Sequence, residues 1–247
     1  MEGPMRPLSA DEPFQFACSD QVACFNDCCQ DLNQFLTPYD ILRLKKHLGL
    51  TSAQFLEQYT SLHIGPETGL PIITLRPDYA AGLKCPFVTP QGCRVYEDRP
   101  ASCRMYPLAR AIVRSRLTGQ IEEQFMLLKE PHCRGFERGP QMTAHEWMRQ
   151  QDLIIHNAMN DRMMAIISLK RQLKPGPLDL KASRMFSMAS YDLDAFRKHI
   201  AANGLPDTLD TQGINLTTLP TDDVALLKIA FKWILHELFD ITESELQ

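Results

Sequence analysis

Apolar residues recur at helical spacing in two parts of the chain, with short strand-like runs between them. Ile41, Leu44 and Leu48 lie three and four residues apart, while Arg43, Lys45 and Lys46 occupy the other face. Thr37-Pro38 supplies an N-cap followed by proline at the first helical position, and Gly49 closes the segment. This predicts a helix from Pro38 to about Leu48. Thr51 or Ser52 opens a second short helix carrying Phe55, Leu56 and Tyr59. From Gly65 to Pro100 glycine and proline recur every few residues. The β-prone runs Pro71–Leu75, Cys85–Val88 and Cys93–Tyr96 predict short strands there. Pro90-Gln91-Gly92 predicts the turn joining the last two. A second hairpin is predicted between Ala111–Arg116 and Gln120–Leu128, around Thr118-Gly119.

After Cys133 the pattern turns helical. Thr143-Ala-His-Glu146 has the form of a capping box, and the stretch behind it runs without Gly or Pro to about Lys174, where Pro175-Gly176-Pro177 ends it. Shorter helices are predicted over Leu193–Ala202, closed near Gly204, and over Asp222–Phe239, opened by Thr221. In the last, Val224, Leu227, Phe231, Ile234, Leu235 and Leu238 form one apolar stripe expected to pack on the rest of the domain.

Composition bounds the possibilities. The chain has 247 residues, 44% hydrophobic and 23% charged, which supports a sizeable core and excludes global disorder. A net charge of −4 gives no electrostatic ground for a nucleic-acid partner or a membrane-surface role. The N-terminus lacks an apolar targeting core, and the longest apolar run in the helical half is Met163 to Ile167. A soluble cytoplasmic protein is therefore expected. Its oligomeric state is left open.

The cysteines change the picture. All eight lie between Cys18 and Cys133, and none occurs in the remaining 114 residues. They form Cys18-x5-Cys24-x3-Cys28-Cys29 and Cys85-x7-Cys93-x9-Cys103, followed by Cys133. In a reducing compartment such a set reads as thiolate ligands rather than as a disulfide framework. Four sulfurs complete a tetrahedral shell around zinc, and a four-iron cubane takes one thiolate per iron. Four plus four fits two such sites, or one site with spare thiols. Spacing does not choose the metal. No Cys-x2-Cys pair is present, and the third position of a Cys-x3-Cys-x2-Cys motif is Asp31. Neighbouring side chains diverge in extended structure, so Cys28 and Cys29 either serve different centres or include one thiol beside a ligand. Arg99, Arg104 and Tyr96 flank Cys93 and Cys103. Guanidinium groups there would offset the negative charge of a four-thiolate centre and donate hydrogen bonds to sulfur. Alternatively the arginines pair with Glu97 or Asp98. His132 beside Cys133 is either a tuning residue or a solvated histidine.

The chain resembles a bacterial cysteine-cluster family of zinc- or iron-chelating proteins. The resemblance rests on Phe16-x-Cys18, Cys24-x3-Cys28-Cys29 and Leu36-Thr37-Pro38-x-Asp40-Ile41. It continues through Cys85-Pro86-Phe87, Cys93-x-Val95-Tyr96-x2-Arg99-Pro100-x2-Cys103-Arg104-x-Tyr106-Pro107 and Cys133-x-Gly135. It spans about residues 14–137. The family spacing Cys-x2-Cys-x2-Cys-Cys is widened here, and the departure falls at Cys18. The resemblance implies a cysteine-bound metal centre, iron–sulfur or zinc, without a settled reaction. Flagellin lysine N-methylase is similar to this family, which adds S-adenosylmethionine-dependent lysine methylation as an alternative.

Other motifs fall short. His145-Glu146 and His236-Glu237 both lack the second histidine of a metalloprotease helix, and no glycine-rich nucleotide loop is present. The methionines at 159, 163, 164, 185 and 188 read as packing residues. The expected architecture is α+β: an irregular, metal-organised N-terminal module with short antiparallel strands and helices, followed by a helical C-terminal half. The divisions are a loose leader at 1–13, a metal-binding module at 14–140 and a helical region at 141–247 packed on it. An iron–sulfur protein with a redox or cluster-dependent role leads. A structural zinc module that binds a protein partner is the alternative. Either a protein partner or a redox partner is expected.

Overall fold

A computed structural model describes residues 5–114 and 121–241. The fold is α+β, with short antiparallel strands and helices in the N-terminal half and helices in the C-terminal half. The chain forms two compact units, one built from residues up to Leu32 and Pro77–Asn157, the other from Asn33–Arg76 and Ala158 onward. The units therefore do not follow the division expected at residue 140. Residues 33–76 belong with the helical end of the chain.

In the first unit, strand Leu108–Arg114 pairs with Ile121–Leu128, and Met5–Leu8 adds to the outer side of the latter, all antiparallel. Part of the leader is thus a strand. Pro7 is tolerated because Met5–Leu8 is an edge strand, where its missing N–H breaks no interior ladder. The turn predicted at Thr118-Gly119 lies outside the described residues. A two-residue pairing of Phe14–Gln15 with Gln141–Met142 closes the N-terminal segment onto helix Ala144–Gln150. Phe16 is the hub of the core, with Tyr106, Phe136 and Trp147 packed edge-on around it at centroid distances of 5.7, 5.1 and 5.5 Å.

The helix predicted from Thr143 to Lys174 is two helices, Ala144–Gln150 and Leu153–Leu173. Asp152 adopts a left-handed conformation (φ 57°) at the break. No glycine or proline marks it. Two arginines from the cysteine-rich segment take Gln151 as their acceptor, which rewards pulling that residue out of the helix. The β-prone runs at Cys85–Val88 and Cys93–Tyr96 also shorten, with only Val88–Thr89 and Gly92–Cys93 pairing as strands. Between Cys85 and Val88 the chain turns instead, Val88 N–H bonding the Cys85 carbonyl at 3.1 Å.

The second unit carries the helices predicted from capping signals. Pro38–Leu48 begins with a complete capping box, in which Thr37 and Asp40 exchange bonds of 3.2 and 2.9 Å. Ser52–Tyr59 repeats the device with Thr51 and Gln54. Strand Pro71–Leu75 forms as predicted, flanked by Phe35–Leu36 and by Thr60–Ile64, a strand the sequence pattern did not reveal. Helices Leu180–Tyr191 and Leu193–Asn203 pack against Asp223–Phe239, with Phe196 and Trp233 edge-on at 5.3 Å. The stripe expected on that last helix understates it. Leu226, Ile229, Ala230 and Trp233 are buried as well, so the helix is surrounded and serves as the unit's core.

Candidate metal centre

All eight cysteines stand in the first unit, and all are free thiols. Local hydrogen bonding explains how distant cysteines come together. Asp27–Cys29 is a single 3-10 turn after a left-handed Asn26, which presents Cys28 and Cys29 from adjacent positions. The Cys29 carbonyl accepts the Cys85 N–H at 2.8 Å, joining the first cysteine group to the second. Asn26 Nδ2 donates to the Thr89 carbonyl at 2.9 Å and so holds the Val88–Cys93 hairpin beside the same loop. At the other end the Ala17 N–H bonds the Gly135 carbonyl at 3.0 Å, placing the Cys18 segment along the Cys133 segment. Gly135 permits this closeness. A Cβ there would overlap the Phe16 ring and lie 2.8 Å from the Ala17 oxygen.

Several sulfurs face backbone amides. The Arg134 N–H reaches Cys24 Sγ at 3.1 Å. Cys85 receives the amides of Phe87 and Val88, Cys93 that of Val95 and Cys133 that of Gly135. Three of these four thiols thus accept from the residue two positions onward, the local turn that stabilises a sulfur carrying negative charge.

The protons on the thiols report the crowding. Burial, reinforced by Cys28, Cys24 and Cys133, pushes Cys18 up to about 11. Cys28 falls to about 7, chiefly because the Cys29 thiol donates a hydrogen bond to it, and Cys29 rises well above the usual range for the same reason. Burial also raises Cys85, Cys93 and Cys133. The raised thiols, Cys18, Cys29, Cys85, Cys93 and Cys133, keep their protons at neutral pH unless a cation replaces them, whereas Cys28 gives up its proton most readily.

The flanking residues divide by role. Arg99 lies over the Tyr96 ring, its carbon 3.8 Å from the centroid, donates to the Tyr96 carbonyl at 2.6 Å and is bonded to the Gln151 side chain. Its charge favours the ionised form of both Cys18 and Cys93. Arg104 is buried and bonds the carbonyls of Arg99 and Gln151 at 3.0 Å each, and that of Glu97. It therefore holds the backbone around Cys103. Tyr96 is exposed and serves as the surface under Arg99. His132 acts on Cys28 and stands 3.9 Å from Glu130. Two residues escaped the sequence reading. Arg94 favours ionised Cys85 and Cys93 while its guanidinium covers the Phe87 ring at 5.3 Å, and its position beside Cys93 was the available signal. The buried Tyr106 hydroxyl faces Cys133 and Glu130 but completes no hydrogen bond of normal geometry.

Among the described residues no group of three or more Cys, His, Asp or Glu side chains is placed so that it could hold a metal ion. The donor chemistry nonetheless suits a thiophilic metal: eight thiols in one unit, amides aimed at four sulfurs, basic side chains nearby and an unsatisfied phenol beside Cys133. A surface cavity of about 350 Å³ lined by Lys129, Cys133, Arg134 and Phe136 opens beside this group.

A family model, CxxCxxCC, described as a "Putative zinc- or iron-chelating domain", matches residues 17–149. The chain belongs to this family. Membership supports metal binding through cysteines, with zinc or iron as the metal. The CxxCxxCC match contains all eight cysteines together with Arg94, Arg99, Arg104 and Tyr106, and ends one residue before the close of helix Ala144–Gln150. No curated protein and no solved structure matches the chain. Among the described residues no helix is long and apolar enough to cross a membrane.

Proposed function

We propose that this member of the CxxCxxCC family is an iron–sulfur protein, with Cys18, Cys24, Cys28, Cys29, Cys85, Cys93, Cys103 and Cys133 as the ligand set and a redox or cluster-dependent role in the cytoplasm. The observation that carries the reading is an all-sulfur donor set whose members already receive backbone N–H groups: Cys24, Cys85, Cys93 and Cys133. Hydrogen bonds to sulfur and nearby charge are the principal levers by which a protein sets the potential of such a centre. A bound cluster would supply one-electron transfer. Around it Arg94 and Arg99 offset negative charge, Arg104 fixes the backbone that carries Cys103, and a protein redox partner would exchange the electron.

The test is purification without oxygen. A brown protein with sulfur-to-iron charge-transfer absorption, an EPR signal on reduction and matched iron and acid-labile sulfide supports the reading. A colourless protein holding stoichiometric zinc overturns it and favours the structural zinc module.

A further inference from the structure

The second unit, which carries no cysteine, has a cavity of its own. About 600 Å³ opens where the end of helix Pro38–Leu48 and the Gly49–Thr51 turn meet the starts of helices Leu193–Asn203 and Asp223–Phe239. That volume lies in the range of small-molecule sites. The charged lining has both signs. Lys45 and Lys46 come from the first helix, and Asp194, Asp222 and Asp223 from the starts of the other two. Leu42, Leu50 and Val224 supply the apolar wall.

Part of this charge serves the fold. Arg197 binds Asp223, and Asp194 accepts the Ser52 N–H at 2.6 Å and a hydrogen bond from Lys45 at 3.0 Å. The rest is unmatched. The Lys45 side chain is only 5% exposed, yet among the described residues it makes a single hydrogen bond, because the Asp223 oxygen stands 3.7 Å away. An ammonium has three donors, and buried donors without acceptors are costly, so two N–H groups call for an oxygen within the cavity. Asp222 caps its helix with Oδ1 alone, which receives the Val224 and Ala225 amides at 2.9 and 3.0 Å. Its Oδ2 has no partner among the described residues, and the exposed Lys46 has no ion pair among them.

We infer that this cavity binds a free aliphatic α-amino acid, with its carboxylate on Lys45 and Lys46, its ammonium on Asp222 and its side chain against Leu42, Leu50 and Val224. A lone anion such as phosphate would face three carboxylates. A metal cation would have to displace Lys45 from Asp194 and Asp223. A zwitterion meets each unmatched charge with its opposite.

Calorimetric titration of the full purified chain with L-leucine, L-isoleucine and L-valine tests the site. At least one is expected to bind saturably at one equivalent. Leucinamide and 4-methylpentanoate, which each lack one of the two charges, should bind about tenfold or more weakly. Lys46→Gln and Asp222→Asn should each weaken the amino acid by about tenfold. Both changes spare the fold, since Lys46 is exposed and asparagine also caps helices, and thermal midpoints check this. Three results overturn the inference: no binding of any of the three amino acids, binding that either variant leaves unchanged, or equal binding of leucinamide, 4-methylpentanoate, phosphate or Mg²⁺. The site does not depend on the metal reading. Iron and zinc content measured on the same samples should move with neither variant, so failure here is distinguishable from failure of the iron–sulfur proposal.

Discussion

Arg104 commits its guanidinium to backbone oxygens of Arg99, Gln151 and Glu97, all within the cysteine-bearing unit. Replacing it with alanine leaves these buried and part-buried acceptors without their charged donor and should cost about 2–3 kcal/mol in denaturant unfolding. Arg104→Lys should recover little, because an ammonium cannot reproduce the planar fork. Gly135 acts by absence of a side chain. Gly135→Ala forces the Cys133 segment away from Phe16, with an expected loss of about 1–3 kcal/mol and reduced metal content on elemental analysis. Tyr106→Phe separates two roles. It removes an unsatisfied buried hydroxyl, so metal-free stability should hold or rise. It also removes a donor beside Cys133, so the reduction potential of a loaded iron centre should fall in protein-film voltammetry. The cysteines and their arginine frame were legible in the sequence because reactive residue types are few and their spacing is visible. Gln151 was not. Its importance comes from Arg99 and Arg104, about fifty residues away, and its own neighbours carry no mark of a break.

The starts of capped helices were read almost to the residue, since the capping signal is local: Thr37 with Pro38, Thr51 or Ser52, and Thr143 with Glu146. Strands were harder. Thr60–Ile64 follows directly on a helix without turn residues, and Cys85–Val88 has strand-like composition but folds as a turn that aims amides at sulfur. Between helices, the buried Lys45 bonds Asp194 at 3.0 Å, and Asp194 also accepts the Ser52 N–H at 2.6 Å. Burial opposes ionisation of Asp194, but the amide of Ser52 and the charge of Lys45 outweigh it and hold its carboxyl below the usual range. A depressed carboxylate contributes stability that is complete above its unfolded value and is lost as pH falls through its folded value. Thermal midpoints should therefore hold from neutral pH down to about pH 4 and drop below it. Asp194→Asn should lower the neutral-pH midpoint and flatten that drop.

The two units are interleaved along the chain, which crosses between them after Leu32, after Arg76 and inside helix Leu153–Leu173. All eight cysteines fall on one side of this partition although residues 33–76 separate Cys29 from Cys85 in sequence. The ends of that inserted stretch meet, with the Leu75 N–H bonding the Gln34 carbonyl at 2.8 Å. A chain joining Leu32 to Pro77 through a short Gly/Ser linker and ending at Asn157 should keep the metal content of the full protein. A chain simply cut after Arg149 should behave worse. It retains Leu36, Ile41, Leu44 and Ile73 without the helices Leu180–Tyr191 and Asp223–Phe239 that contribute to their unit's core. Dye binding to exposed apolar surface and light scattering would compare the two.

The same interleaving has a meaning in time. Residues 33–76 leave the ribosome well before helix Asp223–Phe239 exists, and at about 5–20 residues per second the wait is on the order of ten seconds. Cys133 is made 106 residues before Phe239, so for the later part of that interval all eight thiols exist while an apolar sheet and two capped helices stand without their core. Metal delivery can thus precede completion of the second unit, and a holding chaperone has its natural target in the stretch between the two cysteine groups.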